Sequence, residues 1–223
     1  MGISVNKKNI PKIISLIRKH TKKFEQPLID KVIEEYGKKP FLILISCLLS
    51  LRSKDSVTIH VVRDLFKIAK IPKEILSMPL SQLEKLIFKI GFYRNKAKVL
   101  HQVSKVIHEK FSDKVPDSME ELLSIKGIGR KTANIVLSEA FGIDEGIAVD
   151  VHVHRISNRL GIIKTKTAEE SEKKLMKILP KKYWGDWNHL LVIWGQNVCA
   201  PRNPKCSKCA INSHCSYFKK LEF

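Results

Sequence analysis

Residues Glu121–Asp150 read ELLSIKGIGRKTANIVLSEAFGIDEGIAVD, and the fold is decided at their centre, Ile125-Lys126-Gly127-Ile128-Gly129-Arg130-Lys131-Thr132-Ala133. Two glycines stand one residue apart between two apolar patterns of helical spacing. Met119, Leu122 and Leu123 precede them; Ala133, Val136, Leu137 and Ala140 follow. Gly127 and Gly129 permit positive φ and carry no Cβ to hold a ligand off the backbone. Ile128 lies between them, and Arg130 opens the second helix, whose unpaired N–H groups and positive dipole end point into the hairpin. An anion suits that place, and a phosphodiester is the expected one. The competing reading is an ordinary helical turn closed by a glycine C-cap. Gly-x-Gly alone does not separate the two.

Lys131 falls in the first turn of that second helix. It reads either as one more phosphate contact or as an amine nucleophile, which must be neutral to attack. At an ordinary pKa of ~10.4, about one lysine in 2,500 is neutral at pH 7. Burial, the adjacent Arg130 and a positive helix end all favour the neutral amine. Asp150 closes the apolar run Ile147-Ala148-Val149 ahead of VHVHRISNRL and reads as the N-cap of the next helix. As a cap alone it is ordinary. Facing Lys131, such a carboxylate stabilises a cationic sugar transition state and takes part in proton transfer.

The segments GIGRKTANIVLSEAFG and VDVHVHRISNRLG resemble the helix–hairpin–helix and following aspartate helix of the endonuclease III family. The resemblance runs from about Pro40 to Tyr217 and is weaker before that. In that family the matching lysine and aspartate are catalytic. The resemblance implies that Lys131 attacks C1′ of a damaged nucleotide, that Asp150 assists, and that Gly127, Ile128, Gly129 and Arg130 meet the DNA. Lys126 stands where the family commonly has proline, which implies a slightly looser hairpin or an added phosphate contact.

Composition points to a polyanionic partner. The 223 residues, 43% apolar, allow one large or two modest domains with ample core. Lysine and arginine number 41 against 22 acids, a net charge of +19. Nucleic acid is the obvious partner, with anionic lipid or ribosomal RNA as rivals. Phosphate contacts would make binding fall steeply with salt. No run reaches about eighteen uninterrupted apolar residues, so no membrane span is expected. No apolar segment follows Lys7 and Lys8, so a secretory signal is not expected and a cytoplasmic location is the default, on the nucleoid in a prokaryote.

Residues 1–24 form a basic arm with Ile10, Ile13, Ile14 and Ile17 on one helical face. A docked amphipathic helix is predicted, its lysines in solvent rather than Lys22 and Lys23 on DNA. Leu28 to Tyr36 is a second helix, ended by Gly37 and Pro40. PFLILISCLLSLRSKD, almost wholly apolar from Phe41 to Leu51, predicts a buried central helix with Cys47 as a plain core thiol. Val57 to Phe66, Ser81 to Ile90 and Asn95 to Lys110 follow as amphipathic helices, with Pro72 and Pro79 in the connections.

The stretch Ile90-Gly91-Phe92-Tyr93-Arg94-Asn95-Lys96-Ala97 sets an aromatic pair on a loop beside cation and amide side chains. It reads as a wedge into a base stack or as packing under the loop. The family carries an intercalating residue here, which assigns the wedge to Phe92. Family members often have glutamine after LLS, filling the gap left by a flipped base. Leu51 and Arg52 stand there in this chain, a departure from the pattern, and are the expected contacts.

Past Asp150, His152 and His154 point to different sides of a helix and make a poor metal pair. His152 is expected near DNA at the catalytic cleft, and Arg155 on an acid or phosphate. Val151 replaces the family's usual threonine. Thr167 and Glu170 read as a capping box for a helix to Leu179, and Trp184, Trp187 and Trp194 as packing around a last long helix.

Cys199, Cys206, Cys209 and Cys215 are spaced C-x6-C-x2-C-x5-C, and the chain has only one other cysteine. Two disulfides do not suit a reducing cytosol. A tetrahedral metal centre remains, zinc or iron–sulfur; a single C-x2-C fits a cubane cluster better than paired zinc knuckles. The endonuclease III family shows this spacing and binds a four-iron four-sulfur cluster on it, so the resemblance implies a [4Fe-4S] cofactor. Arg202, Lys205 and Lys208 would then sit on a basic loop held against phosphates.

The resemblance implies an all-α, two-lobed helix–hairpin–helix DNA glycosylase fold. One lobe is a helical barrel of residues 32–142; the other joins 1–31 to 143–223 and carries the cluster, with DNA in the cleft between. The implied function is base-excision repair by a monomeric, bifunctional glycosylase and abasic-site lyase. It removes oxidised pyrimidines from damaged double-stranded DNA and cuts by β-elimination through a Schiff base on Lys131. One rival is a monofunctional mismatch or uracil-type glycosylase, which carries another residue at the position of Lys131. The other is a non-enzymatic helix–hairpin–helix binding protein.

Overall fold

A computed structural model describes residues 9–221, and every regular element among them is helical. In chain order these are α1 (Ile10–Thr21), α2 (Leu28–Tyr36), α3 (Pro40–Ser50), α4 (Asp55–Phe66), α5 (Pro72–Ser77), α6 (Leu80–Ile87) and α7 (Tyr93–Phe111). Then follow α8 (Met119–Ser124), α9 (Arg130–Val136), α10 (Val151–Leu160), α11 (Ala168–Ile178), α12 (Trp184–Asn197) and α13 (Ser216–Lys219). Pro27–Glu145 form one compact unit, and the described residues up to Gln26 form the other together with those from Gly146. The first unit thus extends a few residues beyond 32–142 at either end, and α2 packs on α3 and α4 within it.

The unit Pro27–Glu145 is built around α3. Every residue from Phe41 to Leu49 is buried, as an all-apolar helix requires, and α2, α4, α7 and α9 surround it. The one hydroxyl in that run is satisfied, Ser46 Oγ donating to Leu42 O at 2.7 Å. Arg63 of α4 grips both oxygens of Glu35 on α2, and that guanidinium holds the Glu35 carboxyl below the usual range.

Cys47 is 3% exposed, and burial pushes its thiol up to about 12. Unfolded, the same thiol ionises near 9.0. The folded state therefore keeps a proton that the unfolded chain loses, so stability is expected to fall as pH rises from about 9 towards 12. In native protein at pH 8, Cys47 should resist iodoacetamide until denaturant is added, which mass mapping of the alkylated peptide reads directly.

Pro72 is not in a connection: it is the first residue of α5, a short helix absent from the sequence reading. A proline at that position gives up no hydrogen bond, since the first helical N–H has no intrahelical partner. Glu74 then reaches back to the N–H groups of Lys70 and Ile71, at 2.5 and 3.2 Å, and closes the turn.

The other unit has its own core. Ile10, Ile13, Ile14 and Ile17 of α1 are buried in one cluster with Trp187, Leu191 and Trp194, as α1 packs on α12. Lys7 and Lys8 lie outside the described residues. Two indole N–H groups are satisfied, Trp187 by Ser157 Oγ at 3.1 Å and Trp184 by Leu179 O at 3.0 Å. Thr167 caps α11 by accepting from Glu170 N, but the Glu170 carboxylate bonds Lys166 N, one residue short of a reciprocal box.

Candidate functional site

The hairpin is built from both sides. Ser118 caps α8, accepting from Glu121 N at 3.3 Å and donating to Glu121 Oε2 at 2.9 Å. Ile125 and Ile128 are buried in the core of their unit, and Ile128 N donates to Ile125 O at 3.0 Å, so the turn is pinned by two apolar anchors and one backbone bond. Gly127 sits between them at φ +106°, where an added Cβ would lie 2.9 Å from Val99 Cγ1. Gly129 is different: its backbone is extended, it is exposed, and a Cβ there meets nothing within 4 Å. It is the N-cap of α9, and no side chain caps that helix. The first turn of α9 thus presents its N–H ends at an open glycine surface, the arrangement that takes an anion.

The two glycines should respond in opposite ways to alanine. Gly127→Ala is expected to lose about 3 kcal/mol, through backbone strain and overpacking against Val99. Gly129→Ala should stay within about 1 kcal/mol, since its methyl group would meet nothing within 4 Å. Thermal melts on the pair test both statements.

Lys131 is half-buried in the first turn of α9, which lies against α3, and its charge reaches the Cys47 thiol. Among the described residues its Nζ makes no hydrogen bond or ion pair with another side chain. Arg130 beside it is exposed. Beyond Val136 the helix widens into a π-helical turn, Leu137–Phe141, and ends at Gly142 with φ +70°. Such wide turns cluster at functional sites.

Asp150 belongs to the other unit. It caps α10, Oδ1 accepting from His152 N and Val153 N, each at 2.8 Å. Asn188 of α12 holds the chain just ahead of it, Nδ2 donating to Ala148 O at 2.6 Å. One carboxylate oxygen is therefore fixed by the helix end.

The remainder of α10 differs from expectation. Among the described residues Arg155 pairs with no acid. Its Nε and Nη2 donate to Cys199 O at 3.2 and 2.8 Å, and Nη2 lies 3.1 Å from His152 Nδ1. His152 packs its ring against Gly195 of α12, where an added Cβ would fall 2.3 Å from Nδ1. His154 turns to α11 instead, its Nδ1 2.7 Å from Ser171 Oγ. Nothing in the sequence of α10 alone announced that Gly195 exists to admit His152.

In the unit Pro27–Glu145, the loop after α3 and the loop before α7 lie together. The Arg52 guanidinium stands over the Phe92 ring, 4.6 Å from its centre, and Gly91 approaches Arg52 O. Both residues are held at left-handed φ, +56° and +60°, although neither is glycine. Phe92 is 60% exposed and Leu51 38%, so the ring is no packing residue. Lys96 does not point outward with its neighbours. Its Nζ donates to Leu49 O at 2.7 Å and to Ser53 Oγ at 2.8 Å, and burial lowers its pKa to about 8.

Cys199, Cys206, Cys209 and Cys215 are all free thiols lining one cavity with Ile156, Leu160, Trp194 and Ile211. Burial raises the thiols of Cys206, Cys209 and Cys215, and the cysteines' charges act on one another. Two groups answer that charge. Arg159 Nη1 donates to Cys199 Sγ at 3.3 Å while its guanidinium stacks on Tyr217. The buried Trp194 Nε1 has no hydrogen-bond partner among the described residues and lines the same cavity as Cys209, whose thiol it favours in the charged form. Four sulfurs in an apolar cavity, met by a cation and an otherwise unsatisfied N–H, are a donor set for a thiolate-bound centre. Among the described residues no three His, Cys, Asp or Glu stand close enough for a single metal ion. Arg202, Lys205 and Lys208 are exposed on the same loop.

The family model for HhH-GPD superfamily base excision DNA repair protein matches residues 45–181. Endonuclease III of Thermotoga maritima is 44% identical over 181 residues, 81% of this chain and 84% of that protein. A solved non-covalent endonuclease III–DNA complex superposes with a TM-score of 0.86 at 34% identity, covering 97% of this chain and 98% of that one. A trapped endonuclease III–DNA covalent intermediate gives 0.86 at 33% identity, over 98% and 99%. By family model, sequence and fold, the chain belongs to the HhH-GPD superfamily of base excision DNA repair proteins, in its endonuclease III branch.

Proposed function

We propose that this protein is a bifunctional DNA glycosylase and abasic-site lyase for oxidised pyrimidines in duplex DNA, with Lys131 as its nucleophile and Asp150 assisting. One observation carries the reading: a half-buried lysine in the first turn of a helix that is entered through an exposed glycine and left uncapped by any side chain. The hairpin amides take the DNA phosphate, and the +19 charge of the chain draws in the duplex. Phe92 and Arg52 enter the stack while the damaged nucleotide turns outward.

The neutral Lys131 amine attacks C1′ as the C1′–N bond to the base breaks, and the base leaves with a proton. Asp150 carries the negative charge that balances the cationic sugar. Ring opening converts the adduct to a Schiff base, loss of a C2′ proton drives out the 3′ phosphate, and water then returns the amine. A monofunctional enzyme needs no amine at this place, which disfavours that rival.

Cys199, Cys206, Cys209 and Cys215 would hold the family's [4Fe-4S] cluster, which when bound ties the loop carrying Arg202, Lys205 and Lys208 into one rigid, basic surface. Arg155 and Arg159 hold that loop through the carbonyls of Cys199, Ala200 and Pro201. Incubation with a thymine glycol duplex and borohydride tests the function. A covalent protein–DNA adduct supports the lyase; base release without an adduct supports the monofunctional rival, and binding alone supports a non-enzymatic module.

A further inference from the structure

We propose that Lys96 is a positioning residue, a half-buried latch that fixes the loop after α3 so that Arg52 and Phe92 act as one rigid wedge; this rests on the DNA reading above. The geometry is local to one unit. After Ser50 the chain leaves helical geometry at Leu51 and swings through Arg52 at φ +56°. That turn removes the amide that would have met Leu49 O, one of the last carbonyls of α3. Lys96 Nζ takes its place and also accepts the task of holding Ser53 Oγ, so a single ammonium grips the turn on both sides of Leu51 and Arg52. A cation at the negative end of a helix is favourable.

The same residue holds the other loop. Lys96 N donates to Phe92 O at 3.0 Å, the first bond of α7, and thereby fixes the left-handed Phe92. Backbone and side chain of Lys96 thus join the two loops whose tips form the Arg52–Phe92 stack. Two non-glycine residues at positive φ in one contact are strained, and strain of that kind persists only where the surroundings over-determine it. An exposed lysine in contact with phosphates would need none of this. Burial that brings its pKa down to about 8 is a cost that packing alone does not require, because an apolar side chain would fill the same space.

A wedge is needed only where bases are stacked in a duplex. Single-stranded DNA bearing an abasic site offers Lys131 the same aldehyde with no stack to open. Lys96→Met keeps the apolar stem and removes the ammonium; Ser53→Ala removes one of its two partners. For Lys96→Met, kcat/KM on a thymine glycol duplex is expected to fall by about tenfold to a hundredfold. Its borohydride trapping on single-stranded abasic DNA should change by less than about threefold, because that reaction is not displaced. Ser53→Ala should show the same selectivity at smaller size. A 2-aminopurine beside the lesion reports unstacking and should brighten with the parent protein and not with Lys96→Met.

Equal loss on both substrates, or no loss on either from a folded variant, overturns the latch. If Lys96→Met does not fold, Ser53→Ala decides by the same ratio. Failure of the parent protein to trap on the thymine glycol duplex is a separate result, and it overturns the lyase reading instead.

Discussion

Lys131→Gln is expected to abolish the borohydride adduct and strand scission together, a loss on the order of 10⁴-fold or more, as removal of a covalent nucleophile gives elsewhere. The amide nitrogen has no lone pair free for attack, so no Schiff base can form. Folding should survive, because the Nζ makes no hydrogen bond or ion pair among the described residues and the stem keeps its place against α3. Binding to lesion-bearing duplex should therefore persist. The comparison that matters is with Lys96. A pKa of about 8 leaves roughly one in ten of its amines neutral at pH 7, far more than an ordinary lysine. By protonation alone Lys96 would qualify as a nucleophile. Geometry decides otherwise, since its nitrogen is committed to Leu49 O and Ser53 Oγ. Peptide mapping of the trapped adduct should find DNA on the peptide that holds Lys131. An adduct surviving in Lys131→Gln, or mapping to Lys96, removes the central assignment.

The sequence carried these features unequally, for physical reasons. The apolar run Phe41–Leu51 reads better as a buried helix than as a strand, because leucine dominates and the run exceeds strand length, and Phe41–Leu49 are buried while Leu51 is exposed. Ile10, Ile13, Ile14 and Ile17 repeat at helical spacing and share one buried face. The glycine pair at 127 and 129 announced the hairpin, though only coordinates separate the glycine that must be glycine from the one that leaves a surface open. The helix α5 was missed because six residues carry too little periodicity and its proline reads equally as a loop. Lys96 reads only as one of the cation and amide side chains beside the aromatic pair, because a lysine's direction is set by which acceptors lie near, and Leu49 O is 47 residues away in sequence. For Arg155 the expected acid is absent among the described residues for the same reason. Its partners are carbonyls of the cysteine loop, and a carbonyl leaves no trace in residue type. Local pattern was legible, while long-range acceptors and close approaches such as Gly195 to His152 were not.

Asp150→Asn should separate the two duties of that residue. The carboxylate caps α10 through Oδ1, and an asparagine oxygen accepts the same bonds from His152 N and Val153 N. Asparagine and aspartate are near equals as caps, so stability should change by less than about 1 kcal/mol. What disappears is the charge. If Asp150 balances a cationic sugar, base excision from thymine glycol should slow by about 10²–10³-fold, the size of a lost electrostatic or general-base contribution. A preformed abasic site has already lost its base and needs no such stabilisation on the way to the Schiff base. Trapping on it should fall by no more than about tenfold, reflecting proton transfer alone. Asp150→Ala removes cap and charge at once and should add about 1 kcal/mol of instability to the same kinetic loss. Single-turnover base release, borohydride trapping and thermal melting on the two variants resolve the contributions. Full excision activity in Asp150→Asn would leave Asp150 a helix cap and nothing more, and the negative charge opposite the sugar would have to come from another group.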